Sequence, residues 1–560
     1  MLLRAQKTGK AKPQAHEPAG SCRKRALAVT LFAAVFSMNL SAAPLSASPL
    51  EDFSRITKVN ILGRASMGRF DGVRYVRIHG TVEGVVTPHD DVVGFRTLPL
   101  DDDGNYVYTT EFELLTPRKQ RRGTRTAFVE AENRGHPELF GWINEFAEIG
   151  TPSTIVYPPG FGNGFLFEHG HSYARVQWQT GISAGVPGTA QGVGLVIQRD
   201  FGRLLRAKRR DRPRGTRLPR LRTLVLMGDS QSGWEVTTFV GEGFNRDPVT
   251  GRGVFDGAIA LNGHGNWLAI NRLGDDGRPQ KPYVRPNGVP LTPRELLARP
   301  ESDPVFVNVG AFTDYFRIRA SLFQEALPHR GVYHYDWPYP HASLFILPGP
   351  EFPFVAKGCN AGNILPLNPV DMRPYLRKVV SGLAMELDKG RRRHDFDEGL
   401  PASTLFNLGP APPSPPAVCS ESTASENGCT FNPLQGEVLA TPRLDDDRQP
   451  LGGVRFPDVV LPLGRPDPAP LSHVGTLDIS DLCGNFWAWQ PFERGELLAR
   501  YGSTEEYAEA YEEVIKDLVE AQYLLEDEAD VMLMKAVTHF ESLVGGGYSV
   551  RVDKEIKGVE

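Results

Sequence analysis

The chain has 560 residues, of which 40% are hydrophobic and 23% are charged, and its formal net charge is -5. This composition is that of an ordinary globular protein, long enough for several domains or one enlarged domain. A mildly acidic chain has no general attraction for nucleic acid, so nucleic acid is not an expected partner. One local exception is the arginine-rich stretch over residues 203–222, which we interpret as a solvated connection, with a basic patch for an anionic partner as the alternative.

The N-terminal region has the pattern of an export signal. The cations Arg23-Lys24-Arg25 precede an apolar segment that runs from Ala26 to about Leu40, and small residues follow it. The apolar segment has about 15 residues, fewer than the roughly 20 that a helix needs to span a bilayer. We therefore predict a signal peptide over residues 1–47 and a periplasmic or secreted protein without stable membrane insertion after cleavage. An uncleaved anchor or a mis-assigned start codon is the alternative.

Four cysteines follow this segment: Cys359, Cys419, Cys429 and Cys483. An even number in an exported chain suggests disulfides, and four cysteines permit three pairings. We favour a bond between Cys419 and Cys429, which flank a polar loop. No Cys/His spacing typical of a metal site occurs, so neither a metal nor any other cofactor is predicted.

The first block of the mature chain is predicted to be β-rich, because β-branched and aromatic residues recur between turn residues. Its strands are Ile56–Leu62, Tyr75–Val86, Tyr106–Leu115 and Thr126–Glu132. A short helix over residues 164–168 and a strand over 174–178 follow. Apolar runs that alternate with helical patterns then predict strands from Leu224 and over 256–261, 305–309 and 332–335. This alternation predicts a mostly parallel sheet with helices on both faces.

Two regions extend this predicted core. The Pro/Gly/Arg-rich insertion over residues 262–304 is too long for a simple connection and is interpreted as a lid or binding loop. A helix over 371–389 precedes a proline-rich loop at 409–417. Beyond that loop, two helices are predicted, the first from a capping box of Ser503 and Glu506 to about Leu525 and the second over about 528–543.

The most informative motif is the run GDSQSGW over residues 228–234. A nucleophile elbow is the sharp strand-to-helix turn that exposes a serine hydroxyl above an α/β-hydrolase sheet, and small residues must lie two positions before and after that serine. Ser230 meets this requirement through Gly228 and Ser232, whereas Ser232 would place Trp234 in the crowded position. Ser230 is therefore the predicted nucleophile, and an ordinary Ser/Gly turn is the alternative.

A serine nucleophile needs a histidine base, which in turn needs a carboxylate to fix its tautomer. In α/β-hydrolases the acid and then the histidine follow the nucleophile, on loops after later strands. Asp314 and His341 follow the last two predicted strands and are the predicted acid and base. The alternatives are Asp336 as the acid, His334 or His264 as the base, and a helix N-cap role for Asp314.

The oxyanion of the reaction needs two backbone N–H donors, and losing one typically costs about 3 kcal/mol. One donor is predicted to be Gln231, directly after the nucleophile. The second is predicted in the loop over residues 132–136, with Arg134 or Gly135 as the donor.

The elbow region resembles that of the large bacterial alpha/beta-hydrolase-domain family, whose elbow commonly reads G-x-SQSGR. The resemblance spans nearly the whole mature chain and implies Ser230, Asp314 and His341 as nucleophile, acid and base. The chain departs from the family at Trp234, where Arg is usual, at Asp314, where Glu is common, and at 389–393, where the family's usual Trp and PP-x-S tail are missing. Other matching blocks are AENRG (131–135), GNGFL (162–166), WQ (178–179), TDY (313–315), GGVRFPD (452–458), PLG (462–464) and PFER (491–494).

These observations predict an exported serine hydrolase of the α/β-hydrolase fold, which cleaves a small-molecule carboxylic ester or lactone through an acyl-enzyme. A peptidase, amidase or acyltransferase with the same triad is the alternative, and a non-catalytic binding protein on the same scaffold is a further one. The oligomeric state is not predicted. The predicted organisation is a signal peptide (1–47), a hydrolase core (48–395, with the insertion 262–304) and an extension packing on the core (396–560). Six aromatic residues are candidates for the pocket lining, although core packing is the default interpretation for each: Trp267, Trp337, Tyr339, Phe486, Trp487 and Trp489.

Overall fold

The computed structural model describes residues 53–90, 92–119, 126–144, 164–190, 192–265, 268, 291–317, 320–341, 368–389, 399–409, 440–467 and 488–545. The predicted signal peptide, the four cysteines, the proline-rich loop beyond residue 409 and most of the 262–304 insertion lie outside the described residues, as do Trp267, Phe486 and Trp487. In the described ranges, no helix has both the length and the apolar character needed to cross a bilayer.

A nine-stranded sheet forms the centre of the molecule, and its spatial order is β1-β2-β3-β5-β4-β6-β7-β8-β9. The six strands from β4 to β9 run parallel to one another, whereas β1, β2 and β3 pair antiparallel and join the parallel part through β5. The strands are β1 (Arg55–Phe70), β2 (Val73–Val86), β3 (Tyr106–Pro117), β4 (Thr126–Glu130), β5 (Ser172–Val176), β6 (Thr223–Asp229), β7 (Gly257–Leu261), β8 (Val305–Ala311) and β9 (Val332–Trp337).

The strand boundaries differ most from expectation at β1, which was expected to end at Leu62 and continues to Phe70. Its pairing with β2 changes register at three places, and each change shifts the side chains of β1 relative to the two faces of the sheet. The alternation of apolar and polar residues that marks a strand is lost at such places. The register changes lie at Ile56/Lys58, Ile61/Gly63 and Ser66/Gly68.

Helices cover both faces of the sheet, and each face has its own hydrophobic core. One core contains α3 (Gly192–Arg206) and α4 (Gln231–Gly241), and the other contains α1 (Glu138–Asn144) and α8 (Arg373–Asp388). This arrangement explains why the central strands are continuous apolar runs, since both of their faces are buried. The expected α/β-hydrolase architecture is therefore present. The short helices are α2 (Phe165–Glu168), α5 (Pro293–Leu296), α6 (Asp314–Arg317), α7 (Ala320–Gln324) and α9 (Pro457–Val460).

The C-terminal helices add to the core that contains α1 and α8. They are α10 (Arg494–Tyr501), α11 (Thr504–Glu520) and α12 (Ala529–Val544). The predicted capping box of Ser503 and Glu506 is present at the start of α11. The buried guanidinium of Arg377 in α8 makes a two-point ion pair with Glu528, just before α12. Two short antiparallel ribbons also occur, one formed by β10 (Leu408–Gly409) with β11 (Thr441–Pro442) and the other by β12 (Gly464–Asp467) with β13 (Ala488–Pro491).

Candidate active site

Ser230 lies between the last residue of β6 and the first residue of α4, with backbone angles of φ 52° and ψ -117°. A non-glycine residue in this region is strained, by an amount on the order of 1–3 kcal/mol. The turn is held by a hydrogen bond of 3.0 Å from the Ser230 amide to the Leu261 carbonyl. A Cβ on Gly228 would lie 2.4 Å from the Ser232 carbonyl oxygen, so a side chain at 228 does not fit. This strained strand-turn-helix geometry is what a nucleophile elbow requires.

Three side chains on separate loops form one continuous chain of hydrogen bonds. His341 Nε2 lies 2.8 Å from Ser230 Oγ, and His341 Nδ1 lies 2.7 Å from Asp314 Oδ1. Asp314 comes shortly after β8 and His341 shortly after β9, so the carboxyl edge of the parallel sheet brings both to Ser230. The structure thus brings together the three residues that the sequence proposed as nucleophile, acid and base.

The position of His341 is fixed through its backbone as well as its ring. The His341 amide donates a 2.8 Å hydrogen bond to the hydroxyl of Thr313, which immediately precedes the acid. Both residues are buried, since His341 is only 8% exposed and Thr313 is 2% exposed. Thr313 therefore couples the loop after β8 to the loop after β9. The sequence offered one signal for it, its place directly before the predicted acid.

Asp314 faces a second histidine on its other oxygen. His264 Nε2 lies 3.1 Å from Asp314 Oδ2, and both side chains are buried. A Cβ on Gly310 would lie 1.9 Å from His264 Cε1, so this approach requires glycine at 310. Burial alone would raise the pKa of Asp314, but the charge and hydrogen bond of His341 and the close contact with His264 outweigh it and lower that pKa to about 2. Asp314 is consequently a carboxylate at any ordinary pH.

The two other residues considered as acid and base, Asp336 and His334, form a separate buried pair. Their closest atoms, Asp336 Oδ1 and His334 Nε2, are 2.8 Å apart. Asp336 Oδ2 accepts hydrogen bonds from the Tyr315 hydroxyl at 2.7 Å and from the Phe406 amide at 2.9 Å. With His264, these two residues bring three possible metal-ligand atoms within 4.8 Å of one another. Because hydrogen bonds already engage both oxygens of Asp336, the geometry fits an internal network better than open metal ligands.

Asn262, directly after β7, connects the elbow to the loop that carries His341. Its side-chain amide donates to Asp229 Oδ1 at 2.8 Å, and its side-chain oxygen accepts from the Tyr339 hydroxyl at 2.5 Å. Its backbone carbonyl accepts from Trp234 Nε1 at 3.1 Å. The residue has a left-handed φ of 56°. Sequence analysis missed this role, although Asn262 occupies the end of a parallel strand, as the predicted partners do.

A pair of carboxyl groups lies beneath the nucleophile. Glu138 and Asp229 are hydrogen-bonded to one another, and Asn133 Nδ2 donates to Glu138 Oε2 at 3.2 Å. Burial raises the pKa of both groups, and their mutual contact adds to the shift at Asp229. Burial thus disfavours the charged form of the residue directly before Ser230.

The candidate oxyanion loop is a tight turn. Asn133 and His136 exchange two backbone hydrogen bonds of 2.9 Å, and the residues between them, Arg134 and Gly135, have φ angles of 51° and 88°. In the described ranges, neither the Arg134 amide nor the Gly135 amide donates a hydrogen bond. Gln231 opens α4, where backbone N–H groups point out of the N-terminal end of the helix. The backbone amides of Arg134, Gly135 and Gln231 are therefore compatible with donating hydrogen bonds to an oxyanion.

Glu130 anchors the helix that follows this turn. Its carboxyl oxygens accept hydrogen bonds from the amides of Leu139 at 2.7 Å and Phe140 at 3.0 Å, at the start of α1. The Tyr173 hydroxyl donates a third hydrogen bond at 2.9 Å. The side chain is buried. Glu130 thus supplies acceptors for helix N-terminal amides that have no partner within the helix.

We expect Glu130→Ala to lower the free energy of unfolding by about 2–5 kcal/mol, because two buried amides and a hydroxyl lose their acceptor. Urea unfolding followed by circular dichroism measures the change. Tyr173→Phe is the matched control, since it removes one of the three hydrogen bonds and keeps the ring, and it should cost about 1 kcal/mol. An unfolding midpoint for Glu130→Ala equal to that of the wild type would contradict this role.

The described aromatic candidates for a pocket lining pack in the interior instead. Trp337 and Tyr339 are 2% and 0% exposed, and Trp337 packs against Tyr375 and Phe456. Trp489 is 9% exposed and packs against His539 of α12. Core packing accounts for each of these three.

The sheet, the strained turn at Ser230 and the order of its partners define the α/β-hydrolase class. The alpha/beta hydrolase domain family model matches residues 168–325 and 351–534, more than half of the chain. The chain therefore belongs to the alpha/beta hydrolase domain family. No curated protein sequence matches it.

Solved structures similar to the chain include three from bacteria. The rice cell wall degrading esterase LipA from Xanthomonas oryzae is 12% identical, with a TM-score of 0.26 over 50% of this chain and 90% of LipA. A CE15 glucuronoyl esterase from Teredinibacter turnerae is 12% identical, with a TM-score of 0.24 over 47% of this chain and 64% of that one, less than two thirds of its length. Est1E from Butyrivibrio proteoclasticus is 13% identical, with a TM-score of 0.22 over 42% of this chain and 87% of Est1E. Similarity at this level assigns no activity or substrate to the chain.

Proposed function

We propose that the protein is a serine hydrolase that cleaves a carboxylic ester or lactone through an acyl-enzyme. The observation that carries the proposal is the chain of hydrogen bonds in which His341 lies 2.8 Å from the Ser230 hydroxyl oxygen and 2.7 Å from Asp314. These distances are within hydrogen-bond reach, as general-base activation of a serine requires. Because Asp314 is a carboxylate, it accepts a hydrogen bond from His341 Nδ1–H. This keeps the imidazole proton on Nδ1 and leaves Nε2 free to accept the proton of Ser230.

In the proposed reaction, Ser230 Oγ attacks the ester carbonyl while His341 takes its proton. The carbonyl oxygen gains negative charge and is held by backbone N–H groups, which we assign to Gln231 and to Arg134 or Gly135. His341 then gives the proton to the leaving alcohol, and the acyl group stays on Ser230. A water molecule, deprotonated by His341, attacks the acyl-enzyme. His341 then returns the proton to Ser230 Oγ as the bond to the acyl group breaks and the acid is released.

Active-site labelling with a fluorophosphonate probe, followed by rates on p-nitrophenyl esters and on matched p-nitroanilides, tests this proposal. We expect labelling of the folded protein and faster turnover of the esters. Absence of labelling would leave a non-catalytic binding protein as the explanation. Faster turnover of the anilides would indicate an amidase or peptidase, and acyl transfer to an added alcohol in preference to water would indicate an acyltransferase.

We further assign His264 a positioning role toward the acid, since its Nε2 lies 3.1 Å from the oxygen of Asp314 that does not face His341. His264→Phe keeps a ring over Gly310 but removes this contact. Because this contact favours the charged form of the acid that orients His341, we expect kcat/KM to fall about tenfold. A purely structural role would leave the pH profile of kcat/KM unchanged, whereas a positioning role shifts it. An unchanged profile and rate would exclude the assignment.

We also propose that the chain is exported, on the strength of the cationic, apolar and small-residue segments before residue 48. Expression of the full chain in a bacterial host, followed by N-terminal sequencing of the extracytoplasmic fraction, tests this. A mature protein that begins near Pro44–Ser48 supports export. Full-length protein confined to the cytoplasm contradicts it.

A further inference from the structure

A second concave site lies on the β1–β2 hairpin. The cleft has a volume of about 830 Å³ and is formed by the hairpin, the end of β3 and residues 217–219. Five arginines line it, and none of its described lining residues is an aspartate or glutamate. We call it the arginine cleft and define it by Arg64, Arg69, Arg74, Arg118 and Arg217.

Three of these arginines form a row across neighbouring strands. Arg69 of β1 pairs in register with Arg74 of β2, and the Arg118 amide donates a 2.8 Å hydrogen bond to the Arg74 carbonyl. Directly opposed residues on adjacent strands point to the same face, and strands are about 4.8 Å apart, so the backbones that carry the three arginines span about 10 Å. Like charges placed directly opposite one another destabilise a sheet. The row therefore works against folding unless an anion compensates it.

The cleft arginines lack the carboxylate partners that other arginines of this region have. Arg203 pairs with Asp200 at 2.9 Å, and Arg206 pairs with Asp256 at 2.9 Å. Among the described residues, no ion pair involves any of the five cleft arginines, and all five are exposed. The side chains of Arg64 and Arg69 donate hydrogen bonds to the backbone carbonyl groups of Arg217 and Gly72. The cleft is thus a local excess of positive charge on a chain whose net charge is -5.

The cleft is separate from the candidate active site. Ser230 follows β6 at the carboxyl edge of the parallel strands. Because β3 runs antiparallel to β5, Pro117 at the end of β3 lies at the opposite edge, together with Tyr75 of β2. A ligand in the cleft near Arg74 and Arg118 therefore lies at the edge of the sheet opposite to the one that carries the nucleophile.

We propose that the arginine cleft binds a ligand that carries several phosphate groups. Guanidinium groups bind phosphate oxygens through paired, charge-assisted hydrogen bonds. A phosphate monoester has a charge of about -1.5 to -2 at neutral pH, which suits three arginines on adjacent strands better than a singly charged carboxylate does. The ligand is either a soluble oligophosphate or a lipid with a phosphate headgroup. This proposal is independent of the ester hydrolase activity.

Isothermal titration calorimetry with sodium tripolyphosphate tests the proposal on the full mature protein. We expect binding that weakens as salt is added, and an affinity at least about tenfold lower in the double variant Arg74→Gln/Arg118→Gln. The matched control is Arg209→Gln/Arg214→Gln, two exposed arginines outside the cleft, which should bind as the wild type does. Because like charges are removed, the cleft variant should unfold at the same or a higher temperature.

Vesicle sedimentation separates the two sources of phosphate. Binding to phosphatidylcholine vesicles that contain phosphatidate, with loss in the cleft variant, indicates a lipid headgroup. Binding of tripolyphosphate without vesicle binding indicates a soluble ligand. The proposal is overturned if the wild type binds neither probe, or if the control variant loses as much affinity as the cleft variant. Turnover of p-nitrophenyl acetate should be equal in all of these proteins, since the cleft is remote from Ser230.

Discussion

Replacing Ser230 by alanine is expected to lower kcat for an ester substrate by about a million-fold, because removal of a triad nucleophile has an effect of that size. The remaining rate is expected to exceed the uncatalysed one, since oxyanion donors and substrate binding persist. Steady-state rates on a p-nitrophenyl ester and fluorophosphonate labelling both measure the effect. Labelling is expected to disappear entirely, because the probe reacts with the serine oxygen itself.

Ser232→Ala is the matched control for this experiment. Ser232 lies in the same turn but is fully buried, and among the described residues its hydroxyl has no hydrogen-bond partner. Alanine keeps the Cβ that packs against Gly228, so folding and activity should change little. If Ser232→Ala lost labelling and Ser230→Ala kept it, the nucleophile would be Ser232, and the assignment of Ser230 would be wrong.

The parts of the site that sequence analysis predicted share one physical cause. Parallel strands all present their carboxyl ends at one edge, so residues just after such strands meet there whatever their separation in the chain. Asp314 and His341 were proposed because they follow two of these strands, whereas Ser230 was proposed from the small residues around it. The hydrogen bonds that join the three in the structure are 2.7–2.8 Å long. The sequence also indicated that a small residue is needed at Gly228, and in the structure a side chain there would clash with Ser232.

The residues that were missed act through contacts that no local pattern encodes. Asn262 joins Asp229 to Tyr339, which are far apart in the chain, and only the loop geometry brings them together. The contact between His264 and Asp314 depends on the absence of a side chain at Gly310. His264 was considered as a base, but it faces the acid and not the nucleophile.

Asp314→Asn is expected to lower kcat by about ten-thousand-fold while the fold is retained. An asparagine amide facing His341 donates a hydrogen bond to Nδ1, which places the histidine proton on Nε2. In that tautomer, His341 cannot accept the proton of Ser230 across the 2.8 Å hydrogen bond. The wild-type pKa of about 2 for Asp314 lies below its ordinary value of 3.8. The carboxylate therefore stabilises the fold above about pH 4, and this contribution is lost as the pH falls toward 2.

Asp336→Asn distinguishes this effect from the general loss of a buried carboxylate. Asp336 bonds His334, Tyr315 and the backbone, and is separate from the chain that contains Ser230. We expect this variant to lower the free energy of unfolding by about 1–3 kcal/mol and to leave kcat of the folded protein within a few-fold of the wild type. Single-turnover rates and urea unfolding on both variants provide the comparison. If Asp336→Asn lost activity as Asp314→Asn does, the acid would have to be reassigned, because only the residue that fixes the His341 tautomer produces a loss of that size.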